Sequence, residues 1–379
     1  MMRKIFKSQK RRVTCYVALL FFIPQWLTAN STFDKRILWV VRDAMTSSES
    51  IDEMLSFAKE NNFNHLLVQV RGRGDAYYQS EFVPRSTLII KDDFDPLDYI
   101  LSKAESLDIE IHAWLNMYYL WSASTMPLQK KHLLYTNPEW LDKDSSQNNG
   151  LQRTLKNKGN EGFYLAPTHP DVSKYLMDVV RELVQKYPVD GIHLDYIRFH
   201  KFEYGKNPIG LAFYNKHREE PMNLSLSMRS MQNIDWNRFK RKSVTKLVKG
   251  ISNIIQEKNE NCILSAAVKP NLYEAKNEFG QEWDVWLLAG YLDWAIPMNY
   301  LPELEIFSTN IQIIDDNLPK KYRSKIVMGL ATYNQNPDQV EEKIKFTQQS
   351  GFKNICLFSY NVFRDSDGYF GQIKKHLIP

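Results

Sequence analysis

The chain has 379 residues, of which 43% are hydrophobic and 13% aromatic, and this composition excludes an intrinsically disordered protein. The formal charge of +5 is concentrated at the amino terminus, because residues 1–29 contain six basic side chains and no acidic ones. The rest of the chain is nearly balanced in charge. A nucleic-acid partner is therefore not expected.

The amino terminus has the pattern of a secretory signal peptide, predicted over residues 1–29. A basic stretch precedes the apolar run at residues 13–24, and the small residues Thr28 and Ala29 follow. The apolar run is shorter than the ~20 residues of a membrane-spanning helix. An uncleaved anchor is the alternative, because Leu27 stands where signal cleavage favours a small residue. We predict export to the periplasm, the cell envelope or the medium, with membrane association if the segment is retained.

Two cysteines, Cys262 and Cys356, follow residue 29. Each lies beside an apolar run that is typical of a strand. Both are therefore expected to be buried thiols, and neither a disulfide nor a metal site is indicated.

Strand patterns and helix patterns alternate after residue 29. The predicted strands cover residues 37–41, 66–71, 111–116, 191–197, 263–268, 294–298, 326–330 and 354–358. A first helix is predicted after strand 1, with a capping box formed by Ser50 and Glu53. Further helices are predicted at residues 96–107, 170–186, 236–257, 283–288, 304–318 and 337–350. Residues 117–168 and 201–234 are predicted as long irregular insertions after strands 3 and 4.

This alternation predicts parallel strands, and eight of them predict an α/β fold that closes into a (β/α)8 barrel, with residues 30–379 as a single domain. A doubly wound sheet is the alternative. It is disfavoured because no glycine-rich phosphate loop follows strand 1. The run at residues 71–74 also lacks the third glycine and the helix start of a dinucleotide site. No cofactor is expected.

The fourth predicted strand combines an apolar face with ionisable residues. Ile192, Leu194 and Tyr196 form the apolar face, whereas His193 and Asp195 point to the other side. The second face of such a strand lines a barrel and ends in a carboxylate at its carboxyl end, where (β/α)8 barrels carry their chemistry. The alternative is that Asp195 only caps the turn that follows.

The carboxyl ends of the predicted strands bring together a polar rim. Its members are Arg42, Gln69, Arg71, Asn116, Asp195, Arg198, Lys269, Asn271, Asn299, Tyr300, Ser359, Tyr360 and Asn361, with Trp114, Tyr118, Tyr119 and Trp121 nearby. Amides, hydroxyls and aromatic rings suit a polyhydroxylated ligand such as a sugar chain. Solvation alone would also make a barrel rim polar.

Metal chemistry and serine chemistry are not indicated. No His-x-His or Glu-x-x-His pair stands at a strand end, and no Gly-x-Ser-x-Gly motif is present. His112 and His193 point into the predicted barrel. They are expected to be hydrogen-bonded core residues and not ligands.

Carboxylate chemistry remains. Glycoside hydrolysis usually needs two carboxyl groups, ~5–5.5 Å apart in retaining enzymes and ~6.5–9.5 Å apart in inverting ones. Asp195 is predicted as nucleophile or base and Glu282 as proton donor, although Glu282 has the alternative of a helix N-terminal acid that interacts with the dipole. Other acids that follow strands 2 and 5 are Asp75, Glu81, Glu274, Glu278 and Asp284. Asp293 precedes strand 6 and is expected to be structural.

Six motifs occur in one order over most of residues 36–360. They are VQVRGRGDAYY at 68–78, FDPLD at 94–98, HAWLN at 112–116, GIHLDYIRF at 191–199, QEW at 281–283 and PMNY at 297–300. Together they resemble the glycosyl-hydrolase-like 10 family of bacterial exported (β/α)8-barrel proteins. The resemblance implies a glycosidase-type barrel, with Asp195 and Glu282 at the catalytic positions. One type of member acts on peptidoglycan glycan strands stripped of their stem peptides.

We therefore predict an exported glycoside hydrolase that acts on a bacterial cell-wall polysaccharide or a related oligosaccharide. The predicted substrate-binding residues are Arg71, Asn116, Trp114, Arg198, Lys269, Asn299 and Tyr300, with Trp114 or Trp121 stacking on a sugar ring. A carbohydrate-binding barrel of the cell envelope without catalysis is the first alternative. A membrane-tethered scaffold is the second.

Overall fold

A computed structural model describes most of the chain. The described residues are 33–144, 162–217, 226–366 and 368–377, without the side chains of 226–233. The predicted signal at residues 1–29 lies outside them, as do residues 145–161 and 218–225 of the two predicted insertions. Within the described part of the chain, no helix is both long and apolar enough to cross a membrane.

Eight parallel strands form a barrel. They are β1 (Lys35–Val40), β2 (His65–Arg71), β3 (Glu110–Asn116), β4 (Gly191–Asp195), β5 (Ile263–Val268), β6 (Trp294–Pro297), β7 (Met328–Ala331) and β8 (Asn354–Phe358). Strands β1 to β6 pair in sequence order, β7 pairs with β8, and β8 pairs with β1. Bridges from Ala295 to Ile326 and from Met298 to Gly329 close the remaining gap. The predicted (β/α)8 barrel is confirmed.

Alternation along the strands separates two apolar regions. On β2, Leu66 and Val68 belong to the large cluster between the barrel and the helices. Leu67 belongs to a second cluster with Trp39 and Trp114, which fills the barrel interior. The interior is thus a packed core, and a ligand can enter only at the strand ends.

Strand β4 ends two residues earlier than predicted. Ile192 and Leu194 pack in the outer cluster, as their spacing indicates. Tyr196 was expected on the same face but has φ 48°, in the left-handed region. A residue at that φ cannot continue a strand, so the chain turns immediately after Asp195.

Helices surround the barrel between successive strands. They are Ser48–Glu60, Pro96–Ala104, Leu133–Thr136, Pro170–Lys186, Pro208–His217, Leu226–Lys258, Leu272–Phe279, Trp283–Leu288, Leu304–Asn317, Pro337–Gln349, Tyr360–Asp365 and Tyr369–Ile373. The predicted capping box of the first helix is wrong. Ser47 is the N-cap, and its hydroxyl and that of Ser50 each accept a hydrogen bond from the other's backbone N–H. The observed capping box, Ser47 with Ser50, therefore starts three residues before the predicted one, Ser50 with Glu53.

The segment after β4 is less irregular than predicted. Asn207 caps the helix Pro208–His217 by accepting a hydrogen bond from the N–H of Gly210 at 3.0 Å. The next helix begins at Leu226, ten residues before the predicted start. No proline or glycine lies between Leu226 and Trp236 to stop it.

The chain after β3 contains a short antiparallel pair, Tyr119–Trp121 with Phe163–Tyr164. Leu165 N donates to Tyr118 O at 2.7 Å, and Tyr118 N donates to Tyr196 O at 3.3 Å. These bonds hold this segment against the carboxyl end of β4, beside the functional face of the barrel.

His112 and His193 are buried side chains on the inner faces of β3 and β4, where their strand period places them. His193 Nε2 accepts from Trp39 Nε1 at 3.3 Å, and its Nδ1 lies 2.9 Å from Ser265 Oγ. Burial lowers the pKa of His193 to about 3 and that of His112 well below its ordinary value. Gly191 makes room for His112, because a Cβ there would lie 1.9 Å from His112 Nδ1.

Cys262 and Cys356 are buried free thiols, as predicted. Burial raises the pKa of the Cys262 thiol to about 12, so neither redox nor nucleophilic chemistry is favoured there.

Candidate active site

The carboxyl ends of the barrel strands surround a cleft of about 730 Å³. Residues predicted from the sequence that line it are Arg42, Gln69, Trp114, Asn116, Tyr119, Asp195, Arg198, Lys269, Asn299 and Tyr300. Residues that the sequence analysis did not select include Trp39, Arg73, Ser122, Tyr196, Glu274, Asn310, Tyr333 and Phe358. The cleft therefore coincides with most of the predicted rim.

Asp195 lies at the end of β4, paired in register with Asn116 at the end of β3. It is only 8% exposed, and its Oδ1 accepts a hydrogen bond from Tyr196 N at 2.6 Å. Its carbonyl accepts from Met117 N at 2.8 Å. Asp195 thus caps the turn after β4 and also lines the cleft, so its capping role does not remove it from the cleft.

A hydrogen-bond network fixes the floor of the cleft beside Asp195. Asn116 Oδ1 accepts from Trp114 Nε1 at 3.0 Å and from Gln69 Nε2 at 3.3 Å, while its Nδ2 donates to Gly72 O at 2.8 Å. Gln69 Oε1 in turn accepts from Arg42 Nη1 at 2.8 Å. The Asn116 amide and the Trp114 indole are therefore held in one orientation before any ligand binds.

Two cations of the cleft lining pack on aromatic rings. The Arg198 guanidinium lies 4.9 Å from the ring centre of Tyr196 and 5.1 Å from that of Phe279. Lys269 Nζ lies 4.3 Å from the same Phe279 ring. Cation–π contacts of this kind hold long side chains at a defined place on the cleft wall.

Aromatic rings form the remaining walls. Tyr119 and Tyr196 stack with ring centres 4.5 Å apart. Tyr300 packs edge-on against Trp39 at 6.0 Å and against Tyr333 at 6.4 Å. The Tyr333 ring is 58% exposed, which leaves its surface available to a flat, weakly polar ligand face.

The Tyr300 hydroxyl stays protonated at any physiological pH. Burial raises its pKa well above the ordinary value, and the negative charge of Asp195 acts in the same direction. Tyr300 is therefore available as a hydrogen-bond donor on the wall of the cleft.

The structure places Arg71, predicted to bind substrate, behind the cleft. Its side chain is fully buried, and its Nη1 donates to the carbonyl oxygens of Asn116 and Met117. The guanidinium thereby supports the end of β3 and the position of Asn116. Substrate contact through Arg71 would require a rearrangement of that strand end.

Asn299 lines the cleft, yet its amide is used within the protein. Its Nδ2 donates to Phe307 O at 3.0 Å, and its Oδ1 accepts from Asn310 Nδ2 at 2.9 Å. Both partners belong to the helix Leu304–Asn317. Asn299 therefore fastens that helix to the end of β6.

Glu282, predicted as the proton donor, does not line the cleft. Its carboxylate lies 3.1 Å from Arg241 Nε and 3.9 Å from Lys276 Nζ. Its two neighbours in sequence are structural. Gln281 Oε1 accepts from Lys269 N at 2.9 Å, and Trp283 Nε1 donates to Lys269 O at 3.0 Å. The QEW motif thus fastens the end of β5.

Glu274 is the carboxyl group that shares the cleft with Asp195. It stands in the first turn of the helix Leu272–Phe279, where Asn271 Oδ1 caps the N–H groups of Tyr273 and Glu274. The remaining acids considered from the sequence, Asp75, Glu81, Glu278 and Asp284, do not line the cleft. Asp293 Oδ2 accepts from Leu264 N at 2.9 Å, as expected of a structural residue.

Among the described residues, the cleft does not contain a group of three or more histidine, cysteine or carboxylate side chains close enough to hold a metal ion. Within the described residues, the group of side chains able to hold a metal ion is His65, Glu110 and His112, which starts from the amino-terminal ends of β2 and β3. The cleft itself offers carboxylate, amide, hydroxyl and cationic groups, which suit acid–base chemistry on a polar ligand.

A barrel whose strand ends present a carboxylate, fixed amides and aromatic rings to one cleft has the groups that glycoside hydrolysis requires. The chain belongs to the glycosyl hydrolase-like 10 family, whose model matches residues 24–347. The resemblance inferred from the motifs is thereby confirmed.

Individual relatives are distant and longer. Glycosyl hydrolase DigH of Escherichia coli (strain K12) is 27% identical over 157 residues, which are 40% of this chain and 35% of that protein. Glycosyl hydrolase YngK of Bacillus subtilis (strain 168) is 22% identical over 253 residues, 62% of this chain and 44% of that protein. The chain spans less than half of the length of either relative.

Solved structures share the fold. The glycoside hydrolase domain of PgaB (BpsB) from Bordetella bronchiseptica has a TM-score of 0.68 at 12% identity, covering 90% of this chain and 98% of that one. The catalytic domain of beta-amylase from Paenibacillus polymyxa has a TM-score of 0.59 at 11% identity, covering 91% and 97%. At these identities the likeness concerns the barrel and not the substrate.

Replacing Tyr333 by alanine is expected to weaken glycan binding about tenfold without loss of stability. The exposed ring gives up little packing when it is removed, but a stacked sugar would lose its platform. Isothermal titration with the glycan and thermal unfolding would measure the two effects. Tyr273→Ala is the matched control, because Tyr273 is 57% exposed and lies outside the cleft lining. Equal affinities of the two variants would contradict the prediction.

Proposed function

We propose that this protein is an exported glycoside hydrolase that cleaves a bacterial cell-wall polysaccharide, with peptide-free peptidoglycan glycan strands as its substrate. The observation that carries the proposal is the pair of carboxyl groups, Asp195 and Glu274, on one cleft with fixed amides and exposed aromatic rings. Membership of the glycosyl hydrolase-like 10 family and the two relatives named glycosyl hydrolases support it.

In the proposed reaction, water is added across a glycosidic bond. The Asp195 carboxylate attacks the anomeric carbon, or it removes a proton from the water that attacks instead. Glu274 acts as the general acid and donates a proton to the departing glycosidic oxygen, which leaves as a hydroxyl group. In the first case water then cleaves the glycosyl ester on Asp195 and gives a proton back to Glu274. The Tyr300 hydroxyl and the Asn116 amide orient the sugar beside Asp195.

The charge of the cleft favours an anionic glycan. Its lining holds four basic and two acidic side chains, namely Arg42, Arg73, Arg198, Lys269, Asp195 and Glu274. Removal of the stem peptide from a peptidoglycan strand leaves a free carboxylate on every second sugar. Basic side chains around the cleft would bind such carboxylates and would bind a neutral glycan less well.

The test is product analysis by mass spectrometry with three substrates. Peptide-free glycan strands, the same strands with stem peptides and neutral chitin oligosaccharides are incubated with the wild-type protein and with Asp195→Asn. The proposal expects oligosaccharides from the peptide-free strands, little or no release from the other two, and none from the variant. Release from chitin alone would keep the hydrolase but reject the anionic substrate.

A carbohydrate-binding barrel without catalysis is the second function that the cleft supports, because the fixed Asn116 amide and the exposed Tyr333 ring would bind a sugar without any proton donor. Tight binding of the peptide-free strands with no release by the wild-type protein would establish it.

Export is part of the proposal and rests on the basic and apolar pattern of residues 1–29. Amino-terminal sequencing of the protein recovered from the cell envelope tests it. A start near residue 30 would identify a cleaved signal, whereas an intact amino terminus in the membrane fraction would identify an anchor.

A further inference from the structure

We propose that His65, Glu110 and His112 bind one zinc ion at the amino-terminal end of the barrel. This site lies at the opposite strand ends from the cleft and has no part in the proposed hydrolysis. Its donor atoms are His65 Nδ1, His112 Nε2 and one carboxylate oxygen of Glu110, which all lie within 4.8 Å of one another.

The strand register brings the three side chains together. His65 is the first residue of β2 and pairs directly with Glu110, the first residue of β3. Glu110 and His112 are two residues apart on β3, so both side chains lie on the same face of that strand. His65 therefore has Glu110 as its direct neighbour and His112 as its diagonal neighbour.

The distances between the donor atoms fit tetrahedral zinc. His65 Nδ1 lies 3.1 Å from Glu110 Oε2 and 3.2 Å from His112 Nε2, and the latter two atoms are 3.9 Å apart. Ligand atoms on a tetrahedral zinc ion with bonds of about 2.1 Å are about 3.4 Å apart. The three separations lie on both sides of that value, so small side-chain rotations suffice to place an ion between them.

Hydrogen bonding alone serves this arrangement poorly. His65 Nδ1 is within hydrogen-bonding distance of both Glu110 and His112, but a ring nitrogen carries at most one hydrogen atom. If that hydrogen is donated to Glu110 Oε2, then His112 Nε2 can at best share the same hydrogen with the carboxylate. A metal ion among the three atoms would accept a lone pair from each of them at once.

The surroundings hold the ligands and leave a path to solvent. The Trp294 ring packs against both imidazoles, with ring centres 5.3 Å from His65 and 5.2 Å from His112. The Glu110 side chain is 52% exposed and lines a pocket of about 520 Å³ together with Asp190. Water can therefore fill the fourth position, and an ion can enter from the pocket.

Charge near the site is mixed. Lys35 Nζ lies 5.2 Å from the Trp294 ring and acts electrostatically on both Glu110 and His112. The carboxylate of Asp190 interacts electrostatically with Glu110 and His65. Two imidazole nitrogens and one carboxylate oxygen are a donor set that favours zinc over magnesium or calcium. The site would tie β2 to β3 where the barrel begins.

Zinc binding to the full chain tests the proposal. Chelator-treated protein is titrated with zinc chloride by calorimetry, and its thermal unfolding is followed with and without zinc. We expect one zinc ion per chain and a rise in Tm. Cobalt(II) in place of zinc should give the strong visible absorption of a tetrahedral site.

Variants locate the ion. Glu110→Gln is expected to weaken zinc binding about tenfold or more while the protein folds normally, because its side chain is half exposed. His65→Gln should abolish binding. Glu105→Gln is the matched control, since Glu105 lines the same pocket but is not part of the cluster, and should leave the affinity unchanged. The proposal is overturned if the wild-type protein binds no zinc, or if the Glu110 and Glu105 variants bind it equally well.

Discussion

Asp195→Asn is expected to abolish glycan release, with a loss in kcat of about 10³-fold or more. The amide can neither attack an anomeric carbon nor accept a proton from water. The fold should survive, because the new Oδ1 can still accept the hydrogen bond from Tyr196 N that caps the turn after β4. Binding of the intact glycan should therefore persist in the variant.

The measurement is initial-rate kinetics on peptide-free glycan strands, together with calorimetric binding and thermal unfolding. Asp293→Asn is a suitable control. Its carboxylate also accepts a backbone hydrogen bond, from Leu264 at 2.9 Å, but it precedes β6 at the other end of the barrel. Equal activity of the Asp195 variant and the wild-type protein would remove Asp195 from the mechanism.

Addition of azide separates the two roles of Asp195. The variant Asp195→Ala leaves room for azide, whose attack inverts the anomeric centre. If the carboxylate is the nucleophile, the wild-type product retains the configuration and the glycosyl azide has the opposite one. If the carboxylate is a base, the wild-type product and the glycosyl azide are both inverted, so comparison of the two anomers by NMR tells the retaining mechanism from the inverting one.

The barrel was predictable from the sequence because its strands are apolar and bounded by clear signals. The fifth and eighth strands match their predicted bounds, and Pro170–Lys186 begins at a proline in the first helical position. The capping box was misplaced because Ser47 and Ser50 can both serve as the N-cap. Only the packing of the helix decides which of the two serines takes that position. Such errors move a helix start and leave the topology unchanged.

The part of the site carried by strand ends was also predictable, whereas the part carried by loops was not. Asp195 and Asn116 follow from strand period and strand end alone. Tyr333 and Tyr196 reach the cleft through turns after β7 and β4, and their direction depends on backbone angles that no periodicity encodes. Arg71 was expected in the cleft because it ends strand β2, but its side chain is buried beneath its neighbours.

Glu274 was among the candidate acids named from the sequence but was not preferred, although the sequence contains a signal for its helix. Asn271 and Gly280 are an N-cap and a left-handed C-terminal residue, with φ 68° at Gly280, and together they delimit the helix that carries Glu274. That helix was not predicted, so Glu274 was placed in a loop. Glu282 was preferred because of its motif, but its ion pair with Arg241 depends on a distant helix.

Glu274→Gln is accordingly expected to lower kcat about 10²- to 10³-fold, whereas Glu282→Gln should change it by less than about threefold. Glutamine keeps the size of the side chain but has no acidic proton for the leaving oxygen. The loss should shrink on an aryl glycoside with a good leaving group, because such a group departs without protonation. The kcat of the Asp195 variant should not recover on the aryl glycoside, since its defect lies in attack on the sugar and not in departure of the leaving group.

The two glutamates form a matched pair, because they differ by eight positions and both follow β5. Loss of activity in Glu282→Gln alone would move the proton donor to Glu282, and the carboxylate would then have to leave Arg241 and Lys276 when substrate binds. Loss in Glu274→Gln that is not relieved by a good leaving group would make Glu274 a binding residue. Only the combination of a large loss and its relief identifies the acid, and that combination is what we expect of Glu274 because its carboxyl group lines the cleft.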